Sequence, residues 1–262
     1  MNKTVALVVT ATVIGFAAQA ALLVGSPPYS YSQNFNTLAS SGNTNAWTDD
    51  STIPGWWWDS SAPAEEPSTA TNGYDTSTGS STSLAAYSFG ASGNGERAMG
   101  ALSGTRTDFY IGVQFQNASG QAINLNDVKI SYVGEQWRQT ANSQILAFSY
   151  GTNSAPIAGS LALGQTWTSN TSLDFTGPQA AGAGLLDGNL ATNQVSFSNV
   201  ALAATGTWAN NDYLFLRWTK TGVTSPGLAV DDFSISIIPE PASFGLLAIG
   251  AISLQLFRRR RA

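Results

Sequence analysis

The sequence predicts an all-β protein, specifically an antiparallel two-sheet β-sandwich that resembles a jelly roll. Six segments alternate apolar and polar residues with a period of two, which is typical of strands with one buried face. Connections rich in Gly, Ser, Asn and Thr separate these segments, and such residues favour turns. The alternating segments are residues 29–35, 109–115, 128–132, 146–150, 214–218 and 233–237.

The N-terminal segment has the features of a signal peptide. Lys3 supplies a positive charge, residues 5–16 are apolar, and Ala18-Gln19-Ala20 has the small-x-small pattern that signal peptidase recognises. We expect residues 1–20 to form a signal helix that signal peptidase removes after Ala20. The alternative is a buried N-terminal helix, which the shortness of the segment disfavours.

The C-terminal segment, residues 239–262, combines three features in a fixed order. Pro239, Glu240 and Pro241 come first, the apolar residues 242–257 follow, and Arg258, Arg259, Arg260 and Arg261 stand before the end. A helix over the apolar stretch would rise roughly 24 Å, less than the ~30 Å hydrocarbon core of a bilayer. Clustered arginines resist translocation. This order predicts transient insertion into the membrane, with the body of the protein already exported.

This C-terminal pattern resembles the PEP-CTERM sorting signal of Gram-negative bacteria. The resemblance implies that the membrane transpeptidase exosortase recognises the protein and cuts it near Pro239-Glu240-Pro241. It also implies a surface or extracellular destination in bacteria that make extracellular polysaccharide. An ordinary tail anchor is the alternative, and an intact C-terminus in material from the native host would support it.

Residues 21–238 are long enough for one β-sandwich domain with a sizeable core. This body keeps six basic residues against fifteen or sixteen acidic ones, depending on the position of the C-terminal cut. Its acidity argues against nucleic-acid binding, which needs clustered Lys and Arg. The chain has no Cys and no His. Disulfides, Ser-His-Asp triads, Cys-His pairs and imidazole metal sites are therefore excluded.

The body also resembles a module of exported bacterial proteins, some of which end in the same sorting signal. The resemblance implies a jelly-roll-like sandwich and no settled activity. One departure is Asn36, where similar proteins often have Asp. The segments that carry the resemblance are residues 34–38, 53–56, 87–90, 96–100, 132–138, 173–175, 186–189, 216–218 and 227–233.

Three consecutive tryptophans, Trp56, Trp57 and Trp58, lie in a region that we interpret as a long surface loop with one short strand, residues 47–79. Neighbouring side chains of a strand point to opposite faces, so Trp57 should oppose the other two and at least one indole should lie outside the core. An exposed indole can stack on a sugar ring. These residues are the predicted glycan-binding candidates, and the alternative is that they close one end of the sandwich.

Two carboxylates interrupt the apolar alternation of the last strand, in the segment Val230-Asp231-Asp232-Phe233. If Phe233 faces the core, a regular strand would point Asp231 the same way. An inward carboxylate needs backbone donors, an arginine or a hard cation such as Ca²⁺. A structural role and a Ca²⁺ site at Asp231 both remain open.

A charged cluster, Glu135-Gln136-Trp137-Arg138, follows another predicted strand. One interpretation is a network that closes an end of the sandwich. The other is a glycosidase in which Glu135 and either Glu96 or Asp231 act as acid and base, which requires an open cleft and carboxylates about 5–9.5 Å apart.

Together, the residues favour an exported, non-catalytic protein of the cell envelope or matrix that binds extracellular polysaccharide. A carbohydrate-active enzyme with paired carboxylates and a purely structural matrix protein are the alternatives.

Overall fold

A computed structural model describes residues 21–61, 73–104, 108–142, 144–156, 165–221 and 226–239. The predicted signal helix and the sorting helix lie outside these ranges. In chain order the strands are β1 (Leu22–Val24), β2 (Tyr29–Gln33), β3 (Asn45–Ala46), β4 (Trp56–Ser60), β5 (Gly73–Ser77), β6 (Ala85–Phe89), β7 (Ala98–Leu102), β8 (Phe109–Asn117), β9 (Ile123–Asn124), β10 (Val128–Gln139), β11 (Ile145–Asn153), β12 (Thr168–Ser169), β13 (Phe175–Thr176), β14 (Gly184–Leu185), β15 (Gln194–Ala201), β16 (Thr207–Trp208), β17 (Tyr213–Lys220) and β18 (Gly227–Ile237).

The strands form two large sheets, which confirms the predicted β-sandwich. The seven-stranded sheet runs β1-β8-β17-β11-β12, with β4 also paired to β8 and β13 to β11. The nine-stranded sheet runs β14-β10-β18-β7-β6-β5-β3, with β15 also paired to β10 and β2 to β18. Most pairings are antiparallel as predicted, while β1 pairs with β8, and β5 with β6, in parallel.

Regular helix is confined, within the described residues, to three one-turn 3₁₀ helices: Leu125–Asp127, Thr171–Leu173 and Ala191–Asn193. No helix in this part of the chain has the length and apolar character needed to span a bilayer.

Alternating residues of the two sheets meet to form the main core. From the seven-stranded sheet, β8 contributes Phe109, Ile111, Val113 and Phe115, and β17 contributes Leu214, Leu216 and Trp218. From the nine-stranded sheet, β10 and β18 contribute Val128, Ile130, Tyr132, Phe233, Ile235 and Ile237. These segments all follow the period of two predicted from the sequence.

The outer faces of both sheets are also partly covered. On the nine-stranded sheet, Trp137 stacks on Phe89 with ring centroids 6.0 Å apart, and Tyr87 packs beside them. A Cβ at Gly188 would lie 2.3 Å from the Trp137 indole, and one at Gly79 would lie 1.8 Å from the Trp137 carbonyl oxygen. Glycine is therefore required where these two loops cross Trp137.

The sequence predicts a long surface loop with one short strand for residues 47–79, but their described part contains two strands, β4 and β5, and is not confined to the surface. Trp47 and Ile53 are buried, and β4 pairs with the first half of β8, residues 109–113. Residues 62–72 lie outside the described ranges. The tryptophans of β4 supply apolar area to both faces of the sheet, since Trp56 and Trp58 pack in the main core and Trp57 packs on the outer side.

Candidate functional site

Trp56 and Trp58 lie in the main core, so the expectation of an exposed glycan-binding tryptophan fails for these two residues. The Trp56 ring lies 4.7 Å from that of Phe35 and 5.3 Å from that of Phe233, and its Nε1 donates to the Tyr31 hydroxyl. Trp58 packs on Phe109. Rings engaged in these contacts leave no face for a sugar.

Trp57 points to the opposite face of the strand, as the alternation predicts. It packs with Phe215 on the outer side of the seven-stranded sheet and is 1% exposed. The expected exposed indole is therefore absent from all three residues, because Trp57 is covered by aromatic neighbours on that side. The half-buried rings that pack against this pair belong to Tyr110, Trp167 and Tyr213.

We call these five rings and Arg217 the aromatic face. Arg217 and Trp57 both pair with Gly112 of β8, which has no side chain to separate them. The Arg217 guanidinium carbon lies 3.9 Å from the Trp167 ring centroid and 5.3 Å from that of Tyr110. Its Nε donates to Ser149 Oγ at 3.2 Å. Burial lowers the pKa of Arg217, which remains a cation at physiological pH.

Two indole N–H groups of the aromatic face have no acceptor among the described residues. They are the Nε1 atoms of Trp57 and Trp167, both shielded from solvent. Buried N–H groups normally find a partner. This face therefore combines half-exposed rings with unused hydrogen-bond donors.

The candidate site residues predicted from the sequence do not include Tyr110, Trp167, Tyr213 or Phe215. The signal was present in the residues between the core positions, since Tyr110 alternates with core residues of β8, and Tyr213 and Phe215 with those of β17. Trp167 lies outside any alternating segment, and only the folded chain places it over Arg217.

A second site lies on the outer side of the nine-stranded sheet, where Glu96, Glu135 and Asp231 come together. One carboxylate oxygen from each lies within 4.8 Å of the others. Glu96 precedes β7, Asp231 is in β18 and Glu135 is in β10, and these three strands are adjacent in the sheet. We call the three residues the carboxylate cluster.

Asp231 does not point into the main core, so that prediction is wrong. Ser234 pairs with Ser131, but Asp231 pairs with Val133, so β18 has an extra residue at this position. Asp232, at the bulge, has φ of 45°, a left-handed conformation that Asp tolerates better than most residues. The bulge reverses the alternation. Val230 and Phe233 both face the core, and Asp231 faces outward beside Glu135.

The carboxylate cluster is shielded from solvent and poorly supplied with donors. Glu135 is 1% and Asp231 5% exposed. Glu135 accepts hydrogen bonds from Trp137 Nε1 and Gln194 Nε2, both at 2.8 Å. Burial raises the pKa of Glu135 to about 8, although these two hydrogen bonds oppose the shift. Burial also raises the pKa of Asp231, and the neighbouring Glu135 charge raises it further.

Arg97 and Arg138 are candidates to neutralise these carboxylates, but their guanidinium hydrogen bonds go to other groups. Burial lowers the pKa of Arg97, and the nearby charge of Glu96 opposes that shift. Arg97 donates from Nε to Ser88 Oγ at 2.8 Å and from Nη2 to the Ser88 carbonyl oxygen. Arg138 donates from Nη1 to the Gly79 carbonyl oxygen. Both arginines therefore tie loops and strands together.

Residues 238–261 match the model of the PEP-CTERM protein-sorting motif. The chain carries this sorting motif. The resemblance seen in its Pro-Glu-Pro, apolar stretch and arginines is thus confirmed. The sorting motif indicates an exported protein that is directed to exosortase, with an envelope or extracellular location. No curated protein matches the chain.

Several solved β-sandwich structures are distantly similar. One is a family 61 carbohydrate-binding module, TmCBM61, in complex with β-1,4-galactotriose, at 8% identity over 55% of this chain and 72% of that one, TM-score 0.27. Another is an adhesin domain of Lys-gingipain from Porphyromonas gingivalis, at 12% identity over 68% and 90%, TM-score 0.33. A third is a family 11 carbohydrate-binding module from Clostridium thermocellum in complex with a mixed-linked tetrasaccharide, at 10% identity over 77% and 100%, TM-score 0.29.

Proposed function

We propose that this is a non-catalytic surface or matrix protein of a Gram-negative bacterium, and that its aromatic face binds extracellular polysaccharide. In this proposal the protein crosses the inner membrane, pauses there on its sorting helix and is released by exosortase. The observation that carries the binding function is the group of half-buried rings around Arg217 on the open side of the seven-stranded sheet.

The chemistry of the aromatic face suits a sugar chain. Pyranose rings present apolar C–H faces that stack on aromatic rings, and each such contact adds affinity at little entropic cost. Tyr110, Trp167 and Tyr213 supply the rings, and the Arg217 guanidinium packs against two of them. A platform of rings beside a few polar groups is the usual composition of a small-molecule or glycan site.

The carboxylate cluster is a poor match to a glycosidase site. Glu135 and Asp231 are almost fully buried, whereas a glycosidase exposes its pair in a cleft. We therefore assign the protein no catalytic role. Release of reducing sugar from the host polysaccharide, lost on Glu135→Gln, would contradict this assignment.

Affinity gel electrophoresis in the host's own extracellular polysaccharide tests the binding function. Loss of one ring by Tyr110→Ala or Trp167→Ala should weaken binding about tenfold, the equivalent of ~1.4 kcal/mol. Tyr29→Ala, which removes a half-buried tyrosine from the other sheet, is the matched control and should leave binding unchanged.

Circular dichroism of each variant establishes that the sandwich is intact. Binding that is equal in the wild type and in the Tyr110→Ala and Trp167→Ala variants would refute the aromatic face as the site. Failure of the wild type to bind any host polysaccharide would favour the purely structural matrix protein.

A further inference from the structure

We propose that Glu96, Glu135 and Asp231 bind one Ca²⁺ ion on the outer side of the nine-stranded sheet. This inference is independent of the polysaccharide-binding function, since the carboxylate cluster and the aromatic face lie on different sheets. It rests on the convergence of three carboxylates, on their unused oxygens and on the construction of the strand that presents Asp231.

Three carboxylate oxygens without a donor point to a cation. Both carboxylate oxygens of Glu96 and Oδ1 of Asp231 are shielded from solvent and accept from no donor group of the described residues, while the Glu96 and Asp231 side chains lie within hydrogen-bonding distance of each other. The Asp231 side chain is only 5% exposed. A buried acceptor without a partner costs free energy, and for a charged group the cost is larger. Three such oxygens in one cluster call for a cation.

The geometry is that of a preformed site. The bulge at Asp232 turns Asp231 out of the core and towards Glu135, while the hydrogen bonds from Trp137 and Gln194 hold the Glu135 carboxylate in place. Hydrogen-bond partners that fix the orientation of a metal-coordinating side chain are typical of metal sites. Ala229 and Ala98 pack in the apolar cluster on the same side of the sheet.

The donor set selects the ion. All three side chains offer hard oxygen atoms, which suit Ca²⁺ and Mg²⁺ and disfavour metals that prefer sulfur or imidazole. Mg²⁺ retains several waters in strict octahedral geometry, whereas Ca²⁺ accepts an irregular cage of protein oxygens. A cluster this well shielded from water favours Ca²⁺. Extracellular Ca²⁺ modules bind with Kd on the order of 0.1–1 mM, which suits an exported protein.

Calorimetry and thermal unfolding of the full chain, after treatment with chelator, test the site. Ca²⁺ at about ten times its Kd should raise the wild-type Tm by about 3–6 °C, because the ion binds only the folded state. Asp231→Asn and Glu135→Gln should abolish both the heat of Ca²⁺ binding and the rise in Tm.

Asp232→Asn provides the matched control. Asp232 is the exposed neighbour in the same bulge, and Asn tolerates its left-handed backbone, so this variant should respond to Ca²⁺ as the wild type does. Glu96→Gln covers the case in which a β18 or β10 variant fails to fold, since Glu96 precedes its strand and is half-buried. It should weaken Ca²⁺ binding at least tenfold.

Three outcomes would overturn the proposal. The first is a wild type with no heat of Ca²⁺ binding and no rise in Tm, which would mean that bound protons alone neutralise the charge of the three carboxylates. The second is an unchanged Kd for Ca²⁺ in Asp231→Asn or Glu96→Gln, which would place the ion elsewhere. The third is an equal response to Mg²⁺ at the same concentration, which would refute the assignment to Ca²⁺.

Discussion

Asp231 and Phe233 lie on opposite faces of the nine-stranded sheet, although only Asp232 separates them in β18. In a regular strand the two side chains would share a face. The extra residue at the bulge reverses the alternation, so that Phe233 enters the core and Asp231 joins Glu135 outside. This single irregularity creates the carboxylate cluster.

The bulge should be sensitive to the backbone preference of residue 232. Asp232 has φ of 45°, so Asp232→Val should destabilise the protein by about 1–3 kcal/mol, because β-branched residues are strained in this region. Asp232→Gly should be neutral or slightly stabilising. Urea unfolding measures both. Equal stability of the Val and Gly variants would mean that the bulge is absent in solution.

Trp56 should be among the most costly residues to truncate. It is fully buried and contacts the rings of Phe35, Trp218 and Phe233. Trp56→Ala should therefore lower the free energy of unfolding by about 3–5 kcal/mol. Trp167→Ala removes the same side chain from the half-buried aromatic face and should cost only roughly 1–2 kcal/mol. A cost at Trp56 no larger than that at Trp167 would contradict its place in the core.

Asn117 should be essential to one end of the sandwich. Its Nδ2 donates to the carbonyl oxygens of Gln121, Trp208 and Ala209 at 2.8, 3.1 and 3.1 Å, and the residue is fully buried. Asn117→Asp would replace these donors with a carboxylate facing three carbonyls. We expect a loss of at least about 3 kcal/mol in denaturant unfolding. Asn43→Asp, at an exposed site, is the control and should change stability by less than about 0.5 kcal/mol.

Lys220 should make stability depend on pH. It is buried, with Nζ donating to Ser103 Oγ and Gln144 Oε1, and burial lowers its pKa to about 7 although the charge of Asp108 opposes the shift. Between pH 7 and 10.5 the unfolded chain therefore binds more protons at this site than the folded chain, so stability rises with pH across that window.

The Lys220→Met variant isolates this effect. Met keeps an unbranched stem and cannot bind a proton, so the stability difference between wild type and variant should shift in favour of the wild type from pH 7 to 9. The slope should reach at most about 1.4 kcal/mol per pH unit. A difference that does not vary with pH would show that Lys220 stays charged when folded.

The strands were predictable from sequence where local pattern decides them. Segments 109–115 and 214–218 alternate cleanly, and both proved to be inner strands of the seven-stranded sheet. The face of Asp231 was not predictable, because a bulge depends on the register with β10 rather than on local composition. The burial of Trp57 likewise depends on Phe215 and Tyr110, which come from strands distant in sequence.

The candidate sites could likewise be predicted from sequence only where a short continuous segment carries them. Glu96, Glu135 and Asp231 were each notable as carboxylates, but their convergence needs the strand order β7-β18-β10, in which no two neighbours are consecutive in the chain. The sorting motif could be predicted fully from the sequence, because it is one continuous segment, residues 238–261. Linear signals can be recognised without a fold, and sites built across strands cannot.

We propose that the β-sandwich reaches the cell surface or the medium without its two terminal signals. Intact-mass spectrometry of the protein from the surface and medium of its native host tests this most directly. We expect a chain that begins at Ala21, ends near Pro239-Glu240-Pro241 and lacks the four arginines. A cytosolic chain that retains both Met1 and Ala262 would contradict it.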